Sequence, residues 1–272
     1  MPELPEVETI VRDLQSVLPH HTITTVHLSL PRLVQSDPQR FLTDLPGRHI
    51  EEVGRRGKHI LISLQGDLLL WVHLGMSGRL FLAPHRQPVA KHTHLILTFA
   101  GREYELRYWD PRTFGTLALG RRKEIWQHPR LRRLGPDLLQ VSLPLFQDRL
   151  RSRKGKIKPL LLDQSFCAGL GNIYADESLF AAGIHPARPV STLSDREIER
   201  LYRAIRSILH LAIAHGGSTV VNYTRGDGSP GTFRALHQVY RRQGEPCPRC
   251  GTTIVRIRLG GRGTYCCPRC QQ

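Results

Sequence analysis

The stretch at residues 247–272, CPRCGTTIVRIRLGGRGTYCCPRCQQ, places four of the six cysteines in two C-x-x-C pairs. Sixteen residues separate the pairs, a spacing typical of a structural zinc site with four cysteine ligands. Four thiolates complete the coordination shell of the metal, so we expect one structural zinc ion that holds a hairpin and performs no chemistry. Free structural thiols are the alternative. The predicted ligands are Cys247, Cys250, Cys267 and Cys270.

The segment between the two pairs combines arginine with glycine. Arg256, Arg258 and Arg262 lie in it, and the small residues of GGRGT allow a hairpin tip to approach another backbone closely. A basic hairpin of this kind can lie on DNA. Cys266 breaks the pair spacing and Cys167 lies in an apolar helical stretch, so we interpret both as packing residues.

The length of the chain is more typical of two modest domains than of one, and its charge indicates a polyanionic partner. The 272 residues include 39 Lys and Arg against 23 Asp and Glu, which gives a formal charge of +16 and a pI near 10.3. Nucleic acid is favoured over a membrane, because the most apolar run, residues 68–74, has only the length of a strand. The start lacks a basic region followed by an apolar core, so we expect no signal peptide and a cytoplasmic protein.

Hydrophobic patterning predicts a leading helix, a β-rich part and a helical part. Apolar residues recur at helical spacing between Val7 and Leu18. Six short β-type runs then predict a sandwich or flattened barrel. Helical patterns follow as far as a Gly-, Ser- and Thr-rich stretch at residues 216–233, a predicted mobile loop, and a β-rich tail is expected from residue 237. The six runs are TITTVHLSL, RHIEEV, GKHILISL, DLLLWVHL, THLILTFA and REYELRYW.

The opening MPELPEVETI is unusual for a basic chain, because three of its first eight residues are carboxylates and prolines stand at positions 2 and 5. One interpretation is a solvated tail with a capped first helical turn. The other is that the chain terminus is itself a chemical reagent. The composition of the stretch does not separate the two.

Several polar turns and one basic run are candidates for contact with nucleic acid. Residues 149–158 hold six basic side chains and none that is acidic, which fits either phosphate contact or a solvated linker face. Asn172, after a glycine turn, is placed to cap a helix or to meet a phosphate. Arg112 and Phe114 in DPRTFG, and Met76 in HLGMSG, have the character of wedges that enter a base stack, although residues of these types more often belong to a core.

Seven motifs in sequence order resemble formamidopyrimidine-DNA glycosylase, the bacterial repair enzyme that excises 8-oxoguanine and ring-opened purines. The resemblance runs nearly end to end and implies an α+β, multi-domain fold. It implies an N-terminal catalytic β-sandwich domain with a leading helix at 1–135. A helix-two-turns-helix DNA-binding domain with a mobile lesion loop follows at 136–236, and a four-cysteine zinc finger at 237–272. We also expect a monomer. The motifs are MPELPEVE, RRGKHI, HLGMSG, KHTHL, DPRTFG, AGLGNIYADE and GRGTYCCPRCQ.

The same resemblance implies that the initiator methionine is removed and that Pro2 becomes a secondary amine that attacks C1′ of the damaged nucleoside. An α-amino group titrates around 8, so a useful fraction is uncharged near neutral pH. The resulting iminium ion acidifies the C2′ proton and permits β- and then δ-elimination. By resemblance, Glu3 is the acid/base residue. Lys58 serves β-elimination, and Arg262 grips phosphate and serves δ-elimination.

Further residues match positions that support the reaction or contact DNA. Glu6 positions the terminus, although a charge that complements the helix dipole explains it equally well. His73 lies near the phosphates, and residues 218–233 match the segment that folds over the flipped base. DNA-contacting positions are His92, Arg112, Arg153 and Asn172, and the side chains expected to fill the gap in the stack are Met76, Arg112 and Phe114.

The sequence departs from the family pattern at two positions, and two other functions remain open. Ser77 stands where some relatives carry glutamate, and Thr113 where a second arginine is frequent. Endonuclease VIII, in the same superfamily, acts on oxidised pyrimidines but typically begins Pro-Glu-Gly-Pro-Glu, whereas this chain has Leu4. The last alternative is a catalytically silent DNA-binding protein. Pro2 and Lys58 argue against it, because binding does not need an amine terminus.

Overall fold

The computed structural model describes residues 2–218 and 231–272. The chain forms two compact units. The first contains residues 2–132, 215–218 and 231–232, and the second contains residues 133–214 and 233–272. The predicted division into three domains, with boundaries after residues 135 and 236, stays a prediction.

The leading helix, α1 (Leu4–Gln15), belongs to the core of the first unit. Pro5 lies in its first turn, where its missing N–H costs no hydrogen bond. The apolar stripe predicted from the sequence, which includes Val7 and Leu14, is buried in the same cluster as the strand residues. The chain start is therefore anchored by packing and is not a solvated tail.

The first unit is built on two antiparallel sheets of four strands, in the orders β1-β6-β7-β5 and β2-β3-β4-β8. All six predicted strands are present. Two more, β5 and β8, were not predicted, because each directly follows a turn motif and lacks a clear alternation of polar and apolar residues. The strands are β1 (Ile23–Leu28), β2 (Ile50–Arg56), β3 (His59–Leu64), β4 (Leu68–His73), β5 (Arg79–Pro84), β6 (Thr93–Phe99), β7 (Tyr104–Trp109) and β8 (Thr116–Arg121).

The core of the first unit lies between the two sheets. Alternate residues of each strand point inward, so Ile60 and Ile62 of β3 share one cluster with Leu97 of β6. The outward residues of β3 and β4 are buried too, except the half-buried His73. Trp71 on that face packs against His128, with ring centroids 4.7 Å apart. Three short helices complete the unit: α2 (Gln39–Thr43), α3 (Arg122–Gln127) and α4 (Pro129–Arg132).

The second unit begins with four helices, as the sequence pattern predicts. The central one, α7, is buried on nearly every face and packs against α6, α8 and the last strand of the chain. It ends at Gly183, whose φ of 68° is the left-handed C-terminal conformation that favours glycine. Turns at residues 163–171 join α6 to α7. The helices are α5 (Leu143–Arg151), α6 (Ile157–Leu162), α7 (Asn172–Ala182) and α8 (Asp195–Ala214).

The cysteine tail forms a hairpin of β9 (Val255–Leu259) and β10 (Arg262–Cys266). Gly260 and Gly261 both have positive φ, 54° and 74°, as a tight two-residue turn between antiparallel strands requires. The expectation of β-structure from residue 237 is wrong for residues 237–245, which form turns and bends. The backbone N–H groups of residues 238–240 instead find one side-chain acceptor, described below. Within residues 2–218 and 231–272, no helix is both long and apolar enough to cross a bilayer.

Candidate active site

The first turn of α1 carries two buried carboxylates beside Pro2, which is itself buried. Glu3 and Glu6 are 2% and 1% exposed. Glu6 joins two backbone segments: its Oε2 accepts the N–H of Glu3 at 2.8 Å, and its Oε1 accepts the N–H of Ser218 at 2.7 Å. One side chain therefore fixes both the backbone that carries Pro2 and Glu3 and the start of the predicted lesion loop.

The base of that loop is closely packed against Glu6. Gly217 has a φ of 81°, and a Cβ atom there would lie 2.7 Å from Glu6 Oε1, so only glycine fits. Across the base, Ser218 forms an antiparallel bridge with Thr232. The rest of the predicted loop, residues 219–230, lies outside the described residues.

Lys58 lies at the turn between β2 and β3 and is 7% exposed. A chain of contacts connects this turn to α1. The Arg55 guanidinium pairs with Glu8 Oε2 at 2.8 Å and donates to the carbonyl of Gly57, also at 2.8 Å. The sequence pattern alone indicates no role for Glu8 or Arg55, although Glu8 stands in the motif MPELPEVE and Arg55 in RRGKHI. Their contacts hold the Lys58 turn against the helix that begins beside Pro2.

Two histidine rings lie beside Lys58, with the centroids of His59 and His73 4.7 Å apart. Burial, together with the positive charges of Lys58 and Arg130, lowers the pKa of His73 to about 4. Burial also lowers the pKa of His59 well below its usual value. Both rings are therefore neutral at neutral pH. The backbone N–H of Gly75 donates to His73 Nδ1 at 3.2 Å, which leaves the ring proton on Nε2 as a donor.

Asp110 organises the two turns that carry the predicted wedge residues. It is fully buried, and its carboxylate accepts hydrogen bonds from the Ser77 hydroxyl at 2.7 Å and from the Gly115 N–H at 2.8 Å. Its own N–H donates to the carbonyl of His92 at 3.0 Å. Ser77 is thus a structural partner of Asp110. The turns also touch directly, since a Cβ atom on Gly75 would lie 2.5 Å from the Phe114 backbone.

The wedge candidates are exposed, so the alternative that they are core residues is wrong. Met76 is 44% exposed and Phe114 is 55% exposed. The Arg112 guanidinium lies 4.8 Å from the centroid of the Phe114 ring, a cation–π contact. Thr113, between them, has a φ of 54° and accepts a hydrogen bond from Arg32 at 3.4 Å. An exposed aromatic and an exposed methionine on adjoining turns are available to enter a base stack.

In the second unit, Asn172 and Arg262 belong to neighbouring segments, and Arg153 is half-buried just after α5. The prediction that Asn172 caps a helix is wrong, because Gly171 is the N-cap of α7 and Asn172 is its first residue. The Asn172 amide donates to the carbonyl of Gly263 at 3.0 Å. Asn172 therefore fixes the backbone beside Arg262, which is exposed at the start of β10.

A buried ion pair holds the same strand. Lys158 Nζ lies 2.7 Å from Asp176 Oδ1 and donates to Thr264 Oγ1 at 2.8 Å, and Asp176 accepts the N–H of Tyr265 at 3.1 Å. Burial raises the pKa of Asp176 to about 7, while the Lys158 ammonium acts in the opposite direction. Lys158 is fully buried, so neither interpretation of the basic run, phosphate contact or solvated face, applies to it.

The four predicted cysteine ligands form one cluster, with sulfur atoms within 4.8 Å of one another. The sulfurs of Cys247 and Cys270 are 3.9 Å apart, and those of Cys250 and Cys267 are 3.5 Å apart. A tetrahedron with Zn–S bonds of about 2.3 Å has edges of about 3.8 Å, so the cluster fits one zinc ion. Cys266 lies outside it and is fully buried, consistent with a packing residue.

Three family models match the chain. The formamidopyrimidine-DNA glycosylase N-terminal domain matches residues 1–117, and the H2TH domain of the same enzyme matches residues 134–224. A zinc finger found in FPG and IleRS matches residues 244–272. Together with the geometry of the four sulfurs, this last match identifies the cysteine cluster as a structural zinc site.

Related proteins and solved structures match this chain over its full length. A formamidopyrimidine-DNA glycosylase of Heliobacterium modesticaldum is 47% identical over the full length of both chains. A Lactococcus lactis Fpg variant in complex with a Fapy-dG containing DNA has 38% identity, full coverage of both chains and a TM-score of 0.92. The wild-type Lactococcus lactis protein with an oxidised pyrimidine containing DNA has 38% identity, the same coverage and a TM-score of 0.90. With the buried carboxylates of its first turn, its paired wedge turns and its zinc hairpin, this chain belongs to the formamidopyrimidine-DNA glycosylase family.

Proposed function

We propose that this protein is a bifunctional DNA glycosylase and AP lyase that removes oxidised purines, 8-oxoguanine and formamidopyrimidines, from duplex DNA, acting as a monomer. The observation that carries the proposal is the junction at Glu6, which holds the backbone of Pro2 and Glu3 rigidly at the start of α1. A protein that only binds DNA does not need its first residues buried among carboxylates. The complex of a relative with a Fapy-dG containing DNA supports the substrate class.

The proposed nucleophile is the secondary amine that Pro2 carries once the methionine before it is removed. Its lone pair forms a bond to C1′ of the lesion nucleoside, the bond between C1′ and the damaged base breaks, and the base leaves with the proton that the amine gives up. In the proposed scheme the C1′–O4′ bond of the sugar then breaks, and Glu3, next in the chain and buried, donates the proton that O4′ gains. The product is an iminium ion, in which the amine nitrogen is linked to C1′ by a double bond.

The iminium ion makes strand cleavage possible at the same site. It withdraws electrons from C2′, so the C2′ proton passes to a proton acceptor while the 3′-phosphate leaves in the first elimination. A second elimination then releases the 5′-phosphate. In the proposed scheme Lys58 serves the first elimination, and Arg262 grips phosphate in the second. His73, neutral and with its proton on Nε2, supplies a hydrogen-bond donor beside Lys58 without adding charge.

The lesion must leave the base stack before Pro2 can reach C1′. Extruding a nucleotide costs a few kcal/mol, which side chains that fill the gap offset. In the proposed scheme Met76 and Phe114, which are exposed, fill the gap, and Arg112, whose guanidinium lies over the Phe114 ring, faces the orphaned base. His92, Arg153 and Asn172 are proposed contacts to the DNA, consistent with the net charge of +16.

The substrate class can be tested with three duplexes that differ at one position. They carry 8-oxoguanine, an oxidised pyrimidine or undamaged guanine, the last as control. We expect base release and strand cleavage on the 8-oxoguanine duplex, in equal amounts, since both steps share one intermediate. Base release without cleavage would contradict the shared imine, and no release from 8-oxoguanine would contradict the substrate class.

A second substrate class has one observation in its favour. A related Lactococcus lactis Fpg structure contains DNA with an oxidised pyrimidine. If the oxidised-pyrimidine duplex is cleaved and the 8-oxoguanine duplex is not, the substrate is a pyrimidine lesion and the imine mechanism still stands. Cleavage of both duplexes would show that the enzyme accepts both lesions as substrates.

A further inference from the structure

The two faces of the zinc hairpin differ in burial. Residues two apart on a strand point to the same side, so the pairs Arg258–Gly263 and Arg256–Tyr265 share one face. The alternate pairs belong to the other face, where Thr264 is fully buried. On the first face both arginines are exposed. We call Arg256, Arg258, Gly263 and Tyr265 the arginine face.

Arg262, the proposed grip on phosphate, is not part of the arginine face. It directly precedes Gly263 on β10, so the alternation of the strand places it on the other side of the hairpin. That side packs on the helical part of the second unit, where Lys158 donates to Thr264. The arginine face therefore meets a different part of any ligand from the part that Arg262 meets.

The Arg256 guanidinium lies across β10 at Gly263. A Cβ atom on Gly263 would lie 3.0 Å from Arg256 Nε and 3.1 Å from its Nη2, so the glycine leaves the room that this side chain occupies. Gly263 is also the partner of Arg258 in the sheet register, which brings the charge of Arg256 to the position opposite Arg258. A cleft of about 450 Å³ lies beside both arginines, lined also by Ile257 and Gly261.

The two arginines have no acidic partner. Residues 247–272 contain no Asp and no Glu. Within residues 2–218 and 231–272, neither Arg256 nor Arg258 forms an ion pair or a side-chain hydrogen bond. Exposed arginines of the helical part do find carboxylates, as Arg203 does with Glu199 on α8. Two cations held together without an acid repel each other, and a bound anion removes that cost.

We propose that Arg256 and Arg258 together hold one phosphodiester of the DNA duplex, on the side of the hairpin opposite Arg262. The planar guanidinium fork fits two phosphate oxygens, and duplex DNA presents phosphates along its whole length. The hairpin then grips the DNA backbone on both of its sides. A phosphate contact reads no base, so this contact forms on undamaged DNA as well. The inference rests on the proposed function, because it takes a DNA duplex as the ligand.

The competing explanation is that the arginine face is only a solvated surface. A neutral double variant, Arg256→Gln with Arg258→Gln, removes both charges. A charged double variant, Arg256→Lys with Arg258→Lys, keeps them. Arg196→Gln controls for a general loss of charge, because Arg196 is an exposed arginine on α8 of the same unit. Bound zinc and melting temperature are measured in every variant, so that a damaged hairpin is not mistaken for a lost contact.

The test measures binding of the full-length, zinc-loaded protein to two duplexes between about 50 and 200 mM salt. One duplex is undamaged, and the other carries a tetrahydrofuran abasic analogue, which cannot undergo elimination. Loss of one phosphate contact lowers the slope of log Kd against log salt by about one. We expect this change on both duplexes in the neutral double variant, with affinity about tenfold weaker at the lowest salt. The charged double variant and Arg196→Gln should keep the wild-type slope.

An unchanged slope in a folded, zinc-loaded neutral double variant would overturn the inference. An equal fall in Arg196→Gln would do the same, because net charge alone would then explain both results. So would a fall confined to the abasic duplex.

The wild type separates this inference from the proposed function. If the wild type binds both duplexes but does not cleave the 8-oxoguanine duplex, the proposed function is wrong, and the slope of the neutral double variant still decides the role of the arginine face. An active wild type with an unaffected neutral double variant contradicts only that role. A wild type that binds neither duplex contradicts both.

Discussion

Glu6 shows how much of the proposed chemistry depends on one side chain. Both of its oxygens accept a backbone N–H, one from Glu3 and one from Ser218, in a site that is almost fully buried. Hydrogen bonds to a charged acceptor contribute about 1.5–3 kcal/mol each. The capping interpretation of the first turn and the reagent interpretation are therefore compatible. The residue that stabilises the helix start also fixes the terminus.

Replacing Glu6 with glutamine should slow imine formation. The amide has one acceptor oxygen, so its NH2 group faces one of the two backbone donors and that hydrogen bond is lost. A loss of about 1.4 kcal/mol corresponds to a tenfold change in rate, and we expect the rate of borohydride trapping to fall by roughly tenfold or more. Glu52→Gln, an exposed carboxylate of β2, is the control. Equal trapping rates in Glu6→Gln and wild type would contradict the role of Glu6.

His73 should make stability depend on pH in a defined window. Burial lowers its folded-state pKa to about 4, whereas in the unfolded chain it titrates near 6.5. The unfolded state therefore binds more protons between these values, and stability falls as the pH drops from about 6.5 to about 4. In His73→Gln the melting temperature should fall less over this window than in the wild type. His85→Gln, a more exposed histidine, is the control, and parallel curves for all three proteins would contradict the burial argument.

Among the elements, α7 links the helical part of the second unit to the cysteine tail. Its adjacent acids hold two segments of backbone: Asp176 accepts the N–H of Tyr265, and Glu177 accepts three successive N–H groups at residues 238–240, at 2.8–3.0 Å. These residues form turns because their donors are satisfied by Glu177 and not by a neighbouring strand. The motif AGLGNIYADE thus encodes support for the hairpin as well as a helix start.

The Glu177→Gln variant should lose stability. The glutamine side chain offers one oxygen where the carboxylate serves three donors, and a buried donor left without a partner costs about 1–3 kcal/mol. Removing a buried charge offsets part of that cost, so we expect a net loss of about 2 kcal/mol in a denaturant titration. Glu199→Gln, 39% exposed on α8, should change stability by less than about 0.5 kcal/mol. A Glu177→Gln protein as stable as the wild type would show that these contacts contribute little.

The zinc hairpin is predicted to depend on its metal. Cys250→Ser should reduce the bound zinc from one ion per chain to almost none, because structural zinc sites stabilise the folded state directly. The strand that carries Arg262 and Gly263 then loses its support, and DNA binding should weaken with it. Cys266→Ala, which removes a buried thiol outside the cluster, should keep one zinc per chain. Normal DNA affinity in the zinc-free variant would contradict the role of the hairpin.

At the scale of the whole molecule, the parts of the fold that could be predicted are those encoded locally. The apolar stripe of α1 and the six β-type runs repeat over a few residues, and the cysteine spacing reports on a metal site directly. Strands β5 and β8 were missed because their pairing partners, β7 and β4, determine them more than their own pattern does. The turns that begin at residue 237 were predicted as β-structure because Glu177, which accepts the N–H groups of residues 238–240, is remote in sequence.

In the candidate site, too, some residues could be predicted from local sequence and others could not. Pro2, Glu3 and Lys58 could be proposed as site residues because they stand in specific motifs. Asp110, by contrast, lies in a quoted motif, yet its buried contacts with Ser77 and Gly115 became visible only in the structure. Arg130 belongs to no motif at all. It contacts Thr116, which β-sheet register pairs with His73, and a single sequence does not reveal that pairing.

The central claim is that Pro2 forms a covalent imine with the damaged nucleoside. Its most direct test is borohydride trapping of the purified protein on a duplex with one 8-oxoguanine opposite cytosine, followed by peptide mass spectrometry of the adduct. We predict an adduct on Pro2 in chains that have lost Met1, and markedly weaker trapping in Pro2→Gly, whose amine is primary. An adduct on Lys58 instead, or no adduct from a protein that has lost Met1 and binds the duplex tightly, would contradict the claim.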